Sequence, residues 1–271
     1  MTFIPLTQKQ ENMVQRWKKH LPPIRPSNDI VRLYLKNMQT VLKERPNANW
    51  GILGCTPEIR SLAGMYQAKI TCIDNNPDAF YAYKTISNPS KYEEFICSDW
   101  LHLNYKGVFD IVLGDGAMSM LPKKDHAKFL ANIYKIIKPR GFAILKIHTV
   151  APLILNTPQK IFDWYHERED NFPIYSTRPY LYALWLNKNT LCLSNAEYQS
   201  KILEIQRNGI INHEDYNELN SIRNPVFFIQ YTKKEIFENL ISSYFEIISI
   251  DYAEDYPLHK NHPLYFLRKK E

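Results

Sequence analysis

The stretch NWGILGCTPEIRSLAG, residues 49–64, decides the fold class, because it joins a short apolar run, a tight turn and the start of a helix. The run has the length of a buried strand, and Thr56 before Pro57 offers the helix an N-cap and a proline in its first turn. Units of this kind commonly hold a nucleotide at the turn. Here the strand and the turn contain only Gly51 and Gly54, so the stretch lacks the glycines that let backbone amides approach a pyrophosphate.

This unit opens a region in which apolar runs alternate with helix signals. Four further runs have the length of strands: KITCID (69–74), YEEFIC (92–97), VFDIVLG (108–114) and GFAILKIH (141–148). Before the last of them, LPKKDHAKFLANIYKIIKPRG (121–141) predicts a helix with one apolar face, whose KPRG end turns into the strand. Such alternation predicts an α/β fold with a doubly wound, mostly parallel sheet.

The end of the chain departs from this alternation. Thr232 with Glu235 matches a capping box and predicts a helix over 231–244, and two strand-like runs follow at 245–252 and 263–270. We expect these runs to form an antiparallel hairpin at one edge of the sheet, which brings the sheet to seven strands.

A long segment between residues 150 and 230 fits neither pattern. It has helix starts at Thr157, Ser194 and Asn212 and many aromatic residues, so we expect a helical insertion over the ligand edge of the sheet. The chain then divides into a helical lead-in (1–48), the main sheet (49–150), the insertion (151–230) and the final helix with its hairpin (231–271).

The composition is that of a globular protein, with 45% apolar and 13% aromatic residues among 271. No apolar run reaches the length of a membrane span, and the first residues show no signal pattern, so we expect a cytoplasmic protein with no membrane partner. The net charge of +6 includes basic clusters at 16–19 and 268–270. A nucleic-acid site needs a contiguous stripe or a known motif, so solvated faces are favoured and no nucleic-acid partner is expected.

Neither the four cysteines nor the histidines show paired metal-ligand spacing, and we expect no bound metal. Cys55, Cys72 and Cys97 fall in or beside predicted buried strands, which is typical of structural thiols.

Acidic residues stand at the ends of three successive predicted strands, where an open parallel sheet binds its ligands. Asp74 lies 20 positions after Gly54, where a carboxylate accepts hydrogen bonds from both hydroxyls of a ribose. Asp99 and the indole of Trp100 follow the third strand and suit an adenine ring, and Asp115 follows the fourth. Each aspartate is also positioned to cap the next helix, so both interpretations stay open.

The reduced glycine loop and the strand-end acids together indicate the kind of ligand. A pyrophosphate needs several free amides near the helix start, whereas an adenosine without phosphate needs only room beside the first turn, which Gly54 provides. We therefore expect an adenosine that carries something other than phosphate.

The same stretches resemble the motifs of the class I S-adenosylmethionine-dependent methyltransferases, which have a Rossmann-like fold. ILGCTPEIR is similar to their first motif with its glycines reduced to one, ITCIDNNPDAF to the second, FICSDWLHL to the third, FDIVLGDGAMSMLP to the fourth and IYKIIKPRGFAILKIH to the closing helix, turn and strand. Upstream, RWKKHLPPIRPSNDI (16–30) resembles the lead-in of the branch with TPE in its first motif. Arg140 departs from the family pattern, which usually has glycine there.

The resemblance implies S-adenosylmethionine as cofactor and assigns residues to its parts. It implies Gly54, Cys55 and Thr56 along the methionine portion, Asp74 on the ribose with Asn75 also at the cofactor, Ser98, Asp99 and Trp100 around the adenine, and Asp115 and Gly116 near the methionine end.

Methyl transfer from a sulfonium is an in-line displacement, in which the protein aligns the acceptor, excludes water and takes a proton where the nucleophile carries one. The candidate catalytic residues are His148, at the end of the fifth strand, and Asp115. Tyr165, His166 and Tyr180 in the insertion are the candidate substrate contacts, because aromatic rings suit a flat or cationic acceptor. The insertion is thus interpreted as a substrate lid.

Three functions remain open. The leading one is methyl transfer to a small-molecule acceptor. The second is an aminopropyltransferase-like enzyme that uses decarboxylated S-adenosylmethionine, which GDG at 114–116 suggests, although the second acid that would bind the amine is not evident. The third is a non-catalytic module that binds RNA or a protein through its basic ends. The sequence does not specify an oligomeric state.

Overall fold

A computed structural model describes residues 5–170, 172–221 and 229–271. In these ranges seven strands form one sheet in the order β3-β2-β1-β4-β5-β7-β6. The strands are β1 (Asn49–Leu53), β2 (Lys69–Asp74), β3 (Glu93–Cys97), β4 (Phe109–Asp115), β5 (Ile137–Lys146), β6 (Phe245–Asp251) and β7 (Leu264–Lys269). The predicted fold class, a mostly parallel seven-stranded sheet with an antiparallel C-terminal hairpin, is confirmed.

The strand order reverses beside β1. Strands β1 to β5 pair in parallel, and β1 lies between β2 and β4, so the chain builds one half of the sheet outward from β1 and then crosses back to β4. Strand β7 pairs antiparallel with both β5 and β6, and β6 forms the edge. Because order reverses between β1 and β4, a crevice for ligands opens beyond their carboxyl ends.

The helices of the described chain lie before, between and after the strands. They are α1 (Gln8–Lys18), α2 (Asn28–Glu44), α3 (Pro57–Met65), α4 (Pro77–Lys84), α5 (His126–Ile136), α6 (Pro158–His166), α7 (Arg178–Leu184), α8 (Asn195–Arg207), α9 (His213–Ser221) and α10 (Lys234–Ser242). Helices α6 to α9 form the predicted helical insertion, of which residues 171 and 222–228 lie outside the described ranges. Across the described part of the chain, no helix is both long enough and apolar enough to span a membrane.

Local capping accounts for several of the predicted helix starts. Ser194 and Glu197 form the reciprocal capping box of α8. The side chain of Asn212 accepts a hydrogen bond from the backbone N–H of Asp215 at 2.8 Å, and Thr157 caps α6. Because these three caps depend only on residues a few positions apart, they could be predicted from the sequence.

One predicted cap is confirmed in position only, and another is wrong. Thr56 is the N-cap residue of α3 and Pro57 lies in the first turn, as predicted, but the side chain of Thr56 makes no capping hydrogen bond. The capping box at Thr232 and Glu235 is absent because Thr232 is buried and its backbone N–H donates to the carbonyl of His148, so α10 begins after Lys233. A long-range backbone contact thus replaces the local one.

The boundary between α5 and β5 also differs from the prediction. Helix α5 starts at His126, after a short 3-10 helix at Lys123–Asp125, and ends at Ile136. Strand β5 starts at once with Ile137, and its irregular pairing with β4 accommodates Arg140 at a φ of 55°. The KPRG segment is therefore a bulged start of the strand.

The sheet separates two apolar layers. Successive residues of β1 point to opposite faces, so Ile52 packs with Trp50 and with Tyr34 of α2, whereas Leu53 packs with the layer that contains Phe129 of α5. The insertion joins the first layer through buried aromatic residues such as Tyr198. The insertion is thus continuous with the core of the sheet on one face.

The cysteines divide by position in these layers. Cys55 and Cys72 are buried as predicted, whereas Cys97, expected to be a buried thiol, is exposed at the end of β3, the edge strand at the other side of the sheet from β6.

Candidate active site

A cavity of about 430 Å³ lies at the carboxyl ends of β2 and β3, and we call it the strand-end cavity. Its walls come from α1, from the segments that follow β2 and β3, from α4 and from the loop before α5. They comprise Met13, Asp74, Asn75, Asn76, Ala79, Tyr83, Ser98, Asp99, Trp100, Met120 and Leu121. Five predicted cofactor residues, 74, 75, 98, 99 and 100, are therefore brought together. A larger depression of about 640 Å³ lies at the opposite edge of the sheet, away from every predicted site residue.

Gly54 lies beside this cavity in a conformation that favours glycine. Its φ is +91°, and its backbone N–H donates to the carbonyl of Ile73 at 2.8 Å. A Cβ at this position would stand 3.8 Å from Asp74 Oδ2 and 3.9 Å from the indole of Trp100. The missing side chain thus leaves space between a carboxylate and an aromatic ring.

Asp74 is held at the end of β2 by the start of the next helix. Its Oδ1 accepts a hydrogen bond from the backbone N–H of Asn76 at 2.8 Å. Burial raises the pKa of Asp74, and the backbone N–H groups of Asn76 and Asn75 oppose that effect. The carboxylate therefore has one oxygen fixed by the backbone and the other facing Gly54.

Asp99 both caps a short helix and lines the strand-end cavity. Its Oδ1 accepts from the backbone N–H of Leu101 at 2.8 Å, at the start of a 3-10 helix over Trp100–His102, and its Oδ2 lies 3.1 Å from His102 Nδ1. The indole N–H of Trp100 donates to the Ile73 carbonyl at 2.7 Å. Both side chains are therefore fixed by their own loop and by β2.

Asp115 lies outside the lining of the strand-end cavity, in a buried ion pair. Its Oδ1 lies 2.7 Å from Lys146 Nζ, and both side chains are almost wholly buried. Lys146 Nζ also donates to the carbonyl of Pro23 at 2.9 Å, which ties the lead-in to β5. Burial raises the pKa of Asp115, against the opposing charge of Lys146.

Gly116 and His148 meet at the end of β4. Gly116 has a φ of +74°, and a Cβ there would stand 3.2 Å from His148 Nε2. Burial, with a smaller contribution from the charge of Lys146, lowers the pKa of His148 to about 3. Its Nδ1 makes no hydrogen bond to the described residues, and its ring lies 4.5 Å from the ring of His262. His148 is therefore a neutral, buried imidazole against the backbone of Gly116.

A second cavity, of about 310 Å³, separates the lead-in from the insertion, and we call it the lead-in cavity. It is lined by residues 20–22, 25–28 and 31, by Glu58 of α3, by Trp164, Arg168, Phe172 and Tyr180 of the insertion, and by Asp255 and Tyr256. The hydroxyl of Tyr180 donates to the carbonyl of Pro22 at 2.9 Å across it.

The three predicted substrate contacts occupy different places. Tyr180 lines the lead-in cavity. Tyr165 and His166 line neither of the two cavities, and His166 is exposed. The hydroxyl of Tyr165 instead donates to the carbonyl of Phe172 at 2.7 Å, which fixes a segment of the cavity wall.

Several residues of the two cavities were not assigned from the sequence. Glu58 belongs to the TPE motif, and His20 and Arg25 belong to the stretch that resembles a family lead-in. The sequence therefore identified the motifs of these residues but not their place in a cavity. Tyr83 and Tyr256 carried no local signal. Within the described ranges, no group of three or more histidine, cysteine or acidic side chains is arranged to bind a metal ion.

Residues 53–145 match the family model described as a methyltransferase domain. This range runs from the end of β1 into β5 and so spans the strand ends that surround the site. The protein is therefore a methyltransferase. The matched domain and the sheet order, with its reversal beside β1, confirm the predicted resemblance to the class I S-adenosylmethionine-dependent methyltransferases.

Solved structures share this fold over nearly the whole chain. The N-methyltransferase NodS from Bradyrhizobium japonicum WM9, in complex with S-adenosyl-L-homocysteine, superposes with a TM-score of 0.54 at 10% identity, over 97% of this chain and 99% of that one. The 1,6-didemethyltoxoflavin-N1-methyltransferase from Burkholderia thailandensis, with 1,6-didemethyltoxoflavin and S-adenosylhomocysteine bound, gives 0.54 at 10% identity over 100% and 94%.

A third solved structure shares the fold but is named for a different activity. A protein from Rhodobacter sphaeroides that is named for the zinc-dependent alcohol dehydrogenases gives a TM-score of 0.61 at 13% identity, over 97% of this chain and 100% of that one. Similarity at this level establishes the fold and not the substrate. No curated protein sequence matches this chain significantly.

Proposed function

We propose that this methyltransferase binds S-adenosylmethionine with its adenosine in the strand-end cavity and transfers the methyl group to a small-molecule acceptor. The observation that carries the proposal is the space at Gly54, bounded by Asp74 Oδ2 and the indole of Trp100. An adenosine needs a carboxylate for its ribose and an aromatic surface for its base, and both face this space.

Each residue of the cavity has a role in this proposal. Asp74 accepts hydrogen bonds from the ribose hydroxyls, with Asn75 beside it, and Ser98, Asp99 and Trp100 surround the adenine. The backbone of Gly54, Cys55 and Thr56 follows the methionine portion, because the Cys55 side chain is buried in the core and leaves only its backbone to face a ligand.

His148 is the proposed base. S-adenosylmethionine supplies a methyl group on a positively charged sulfur, which is already activated for displacement, so the proposal requires no metal. An acceptor that carries a proton must lose it, and because burial lowers the pKa of His148 to about 3, the imidazole can take that proton only as the bond to the methyl group forms. His148 is buried against Gly116, at the strand end where the methionine portion is expected. Asp115, the other candidate, supports the site through its ion pair with Lys146.

The insertion is proposed as the lid that selects the acceptor, and the domain limits given above follow from that role. Trp164, Phe172 and Tyr180 line the lead-in cavity, whereas none of the insertion residues that the structure describes lines the strand-end cavity. Tyr180→Phe and Trp164→Ala should therefore lower turnover while the affinity for S-adenosylhomocysteine stays within a few fold of wild type. Loss of that affinity in folded variants would assign the insertion to the cofactor site.

Titration calorimetry on the whole chain tests the proposed function. We expect binding of S-adenosylmethionine and S-adenosylhomocysteine, unchanged by EDTA. Preference for decarboxylated S-adenosylmethionine would instead support the aminopropyltransferase-like alternative. RNA binding with a steep salt dependence and no nucleoside binding would support a non-catalytic module. The absence of binding of either nucleoside at millimolar concentration overturns the proposal.

A further inference from the structure

The lead-in cavity is lined by three side chains with unsatisfied polar atoms. Glu58 Oε2, His20 Nδ1 and the Tyr256 hydroxyl make no hydrogen bond to the described residues. Tyr256 is 5% exposed and the Glu58 side chain 15%. A buried polar atom without a partner is destabilising, because it has lost its hydrogen bonds to water and gained none in exchange. Three such atoms on side chains of one cavity wall indicate a ligand with polar groups.

Of these side chains, Glu58 sets the strictest requirement. Its Oε1 accepts from Arg25 Nε at 2.7 Å and from the indole N–H of Trp17 at 3.2 Å, so both protein donors use the same oxygen. An ionised carboxylate can only accept. The group that satisfies Oε2 must therefore be a donor, and a cationic N–H forms a stronger bond to a carboxylate than a neutral hydroxyl does.

Contacts behind its wall also connect the cavity to the place where the methyl group is expected. Pro22 lines the cavity, and the next residue, Pro23, accepts from Lys146, the partner of Asp115. On the other side, the ring of Tyr256 stacks on His262 at 5.8 Å, and His262 contacts His148. Two chains of contacts thus connect the wall of the lead-in cavity to the end of β4.

We propose that the lead-in cavity is the acceptor site and that it takes a small primary or secondary amine, whose N–H donates to Glu58. This rests on the proposed function. A volume of about 310 Å³ is at the lower end for ligand cavities, so the acceptor is small. The ring centroids of Trp164 and Tyr180 lie 4.6 Å apart, so the two rings form one continuous aromatic wall that suits a flat group.

Methyl transfer starts from the neutral amine, which forms when the ammonium form of the acceptor loses one proton to water. The freed lone pair on nitrogen forms the bond to the methyl carbon, and the electron pair of the broken carbon–sulfur bond stays on sulfur, which gives a thioether and a methylated ammonium ion. Glu58 holds and orients the amine and forms no covalent bond.

The test uses protein saturated with S-adenosylhomocysteine and two matched probe series, small arylalkylamines such as phenethylamine and the corresponding alcohols. Calorimetry should show tighter binding of the amines to wild type. Glu58→Gln should weaken amine binding by about 10- to 100-fold, the equivalent of one charge-assisted hydrogen bond, and change S-adenosylhomocysteine affinity less than twofold. Tyr256→Phe keeps the ring and should weaken the amines to a smaller extent. Asp163→Asn, which removes an exposed carboxylate of α6, is the matched control and should bind like wild type.

The outcomes separate this inference from the proposed function. Equal or tighter binding of the alcohols, or binding of neither series, overturns the amine proposal even when S-adenosylhomocysteine binds. Loss of S-adenosylhomocysteine affinity in folded Glu58→Gln would assign the cavity to the methionine portion and overturn the acceptor site. Wild type that fails to bind S-adenosylhomocysteine contradicts the proposed function itself.

Discussion

Trp100 and Ile73 are joined by a hydrogen bond of 2.7 Å from the indole N–H to the backbone carbonyl. The same carbonyl accepts from the backbone N–H of Gly54 at 2.8 Å. One carbonyl near the end of β2 therefore fixes both the turn after β1 and the indole that follows β3. Asp74 is the next residue, so three predicted cofactor residues are held in register through a single backbone group.

Trp100→Phe should release the ring at position 100 from β2, because it keeps an aromatic ring but removes the N–H that donates to the carbonyl of Ile73. We expect a loss of about 0.5–1.5 kcal/mol of unfolding free energy, the typical worth of one hydrogen bond, and weaker binding of S-adenosylhomocysteine. Urea unfolding and calorimetry measure the two effects. Trp185→Phe, in the insertion, is the control. Unchanged affinity in Trp100→Phe would show that the indole does not contact the adenosine.

Asp74→Ala should weaken S-adenosylhomocysteine binding by about 2–3 kcal/mol, because it removes a charged acceptor from two hydroxyls. Fold stability should change less, since the carboxylate lies at a strand end. Calorimetry and thermal unfolding are measured side by side, with Asp125→Ala as control, because Asp125 makes no capping bond with its side chain. Normal affinity in the Asp74 variant would refute the ribose assignment.

Asp99→Asn tests the adenine assignment. Asparagine can still cap the 3-10 helix through its amide oxygen, but its NH₂ can turn a donor towards the adenine amino group. We expect the preference for S-adenosylhomocysteine over its hypoxanthine analogue to fall, with little change in unfolding free energy. Competition binding with the two nucleosides gives the ratio. A ratio equal to that of wild type would count against placing adenine at Asp99.

His148→Gln should change the pH dependence of stability. The pKa of His148 is about 3 in the folded protein and 6.5 ordinarily, so below pH 6.5 the unfolded chain binds more protons at this residue and stability falls as pH falls. In the variant, the decrease in unfolding free energy as the pH falls from 6 to 4 should be smaller by up to about 1.4 kcal/mol per pH unit. Urea unfolding across that range measures it. An equal change in the exposed control His213→Gln would contradict the assignment.

Arg60 and Glu93 form a doubly hydrogen-bonded ion pair, at 2.7 Å for both contacts, and their side chains are 0% and 1% exposed. Arg60→Met should lower the unfolding free energy by about 3–5 kcal/mol, because it leaves a buried carboxylate without its partner. The double variant Arg60→Met/Glu93→Leu should recover much of that loss. Denaturant unfolding compares the two, and no recovery would mean that the stabilisation comes mainly from packing of Arg60.

The sheet and the strand-end cavity were predictable because they depend on local sequence. Asp74 and Trp100 follow apolar runs directly, and parallel pairing brings the ends of such runs together whatever the rest of the chain does. The box at Thr232 failed for the opposite reason. Its bridge to Thr149 joins residues far apart in the chain, and a motif search over four residues cannot detect that competition.

The lead-in cavity was not predictable from the sequence. Its lining includes His20, Glu58, Trp164 and Tyr256, which come from four separate segments of the chain. No two of these four residues stand close enough in the sequence to form a recognisable motif. The charge of a lining side chain also depends on its burial. His20 is neutral because burial lowers its pKa to about 4. Only the tertiary arrangement combines these properties.

The position of β7 between β5 and β6 has a consequence for synthesis on the ribosome. Strand β5 is complete at residue 146, but its antiparallel partner begins at residue 264, after the whole insertion. During that interval one side of β5 presents unpaired N–H and C=O groups next to an apolar sequence. Such an edge can pair with another nascent chain. Expression at a reduced elongation rate, or with a lengthened insertion, should therefore increase the aggregated fraction before it affects the stability of the finished protein.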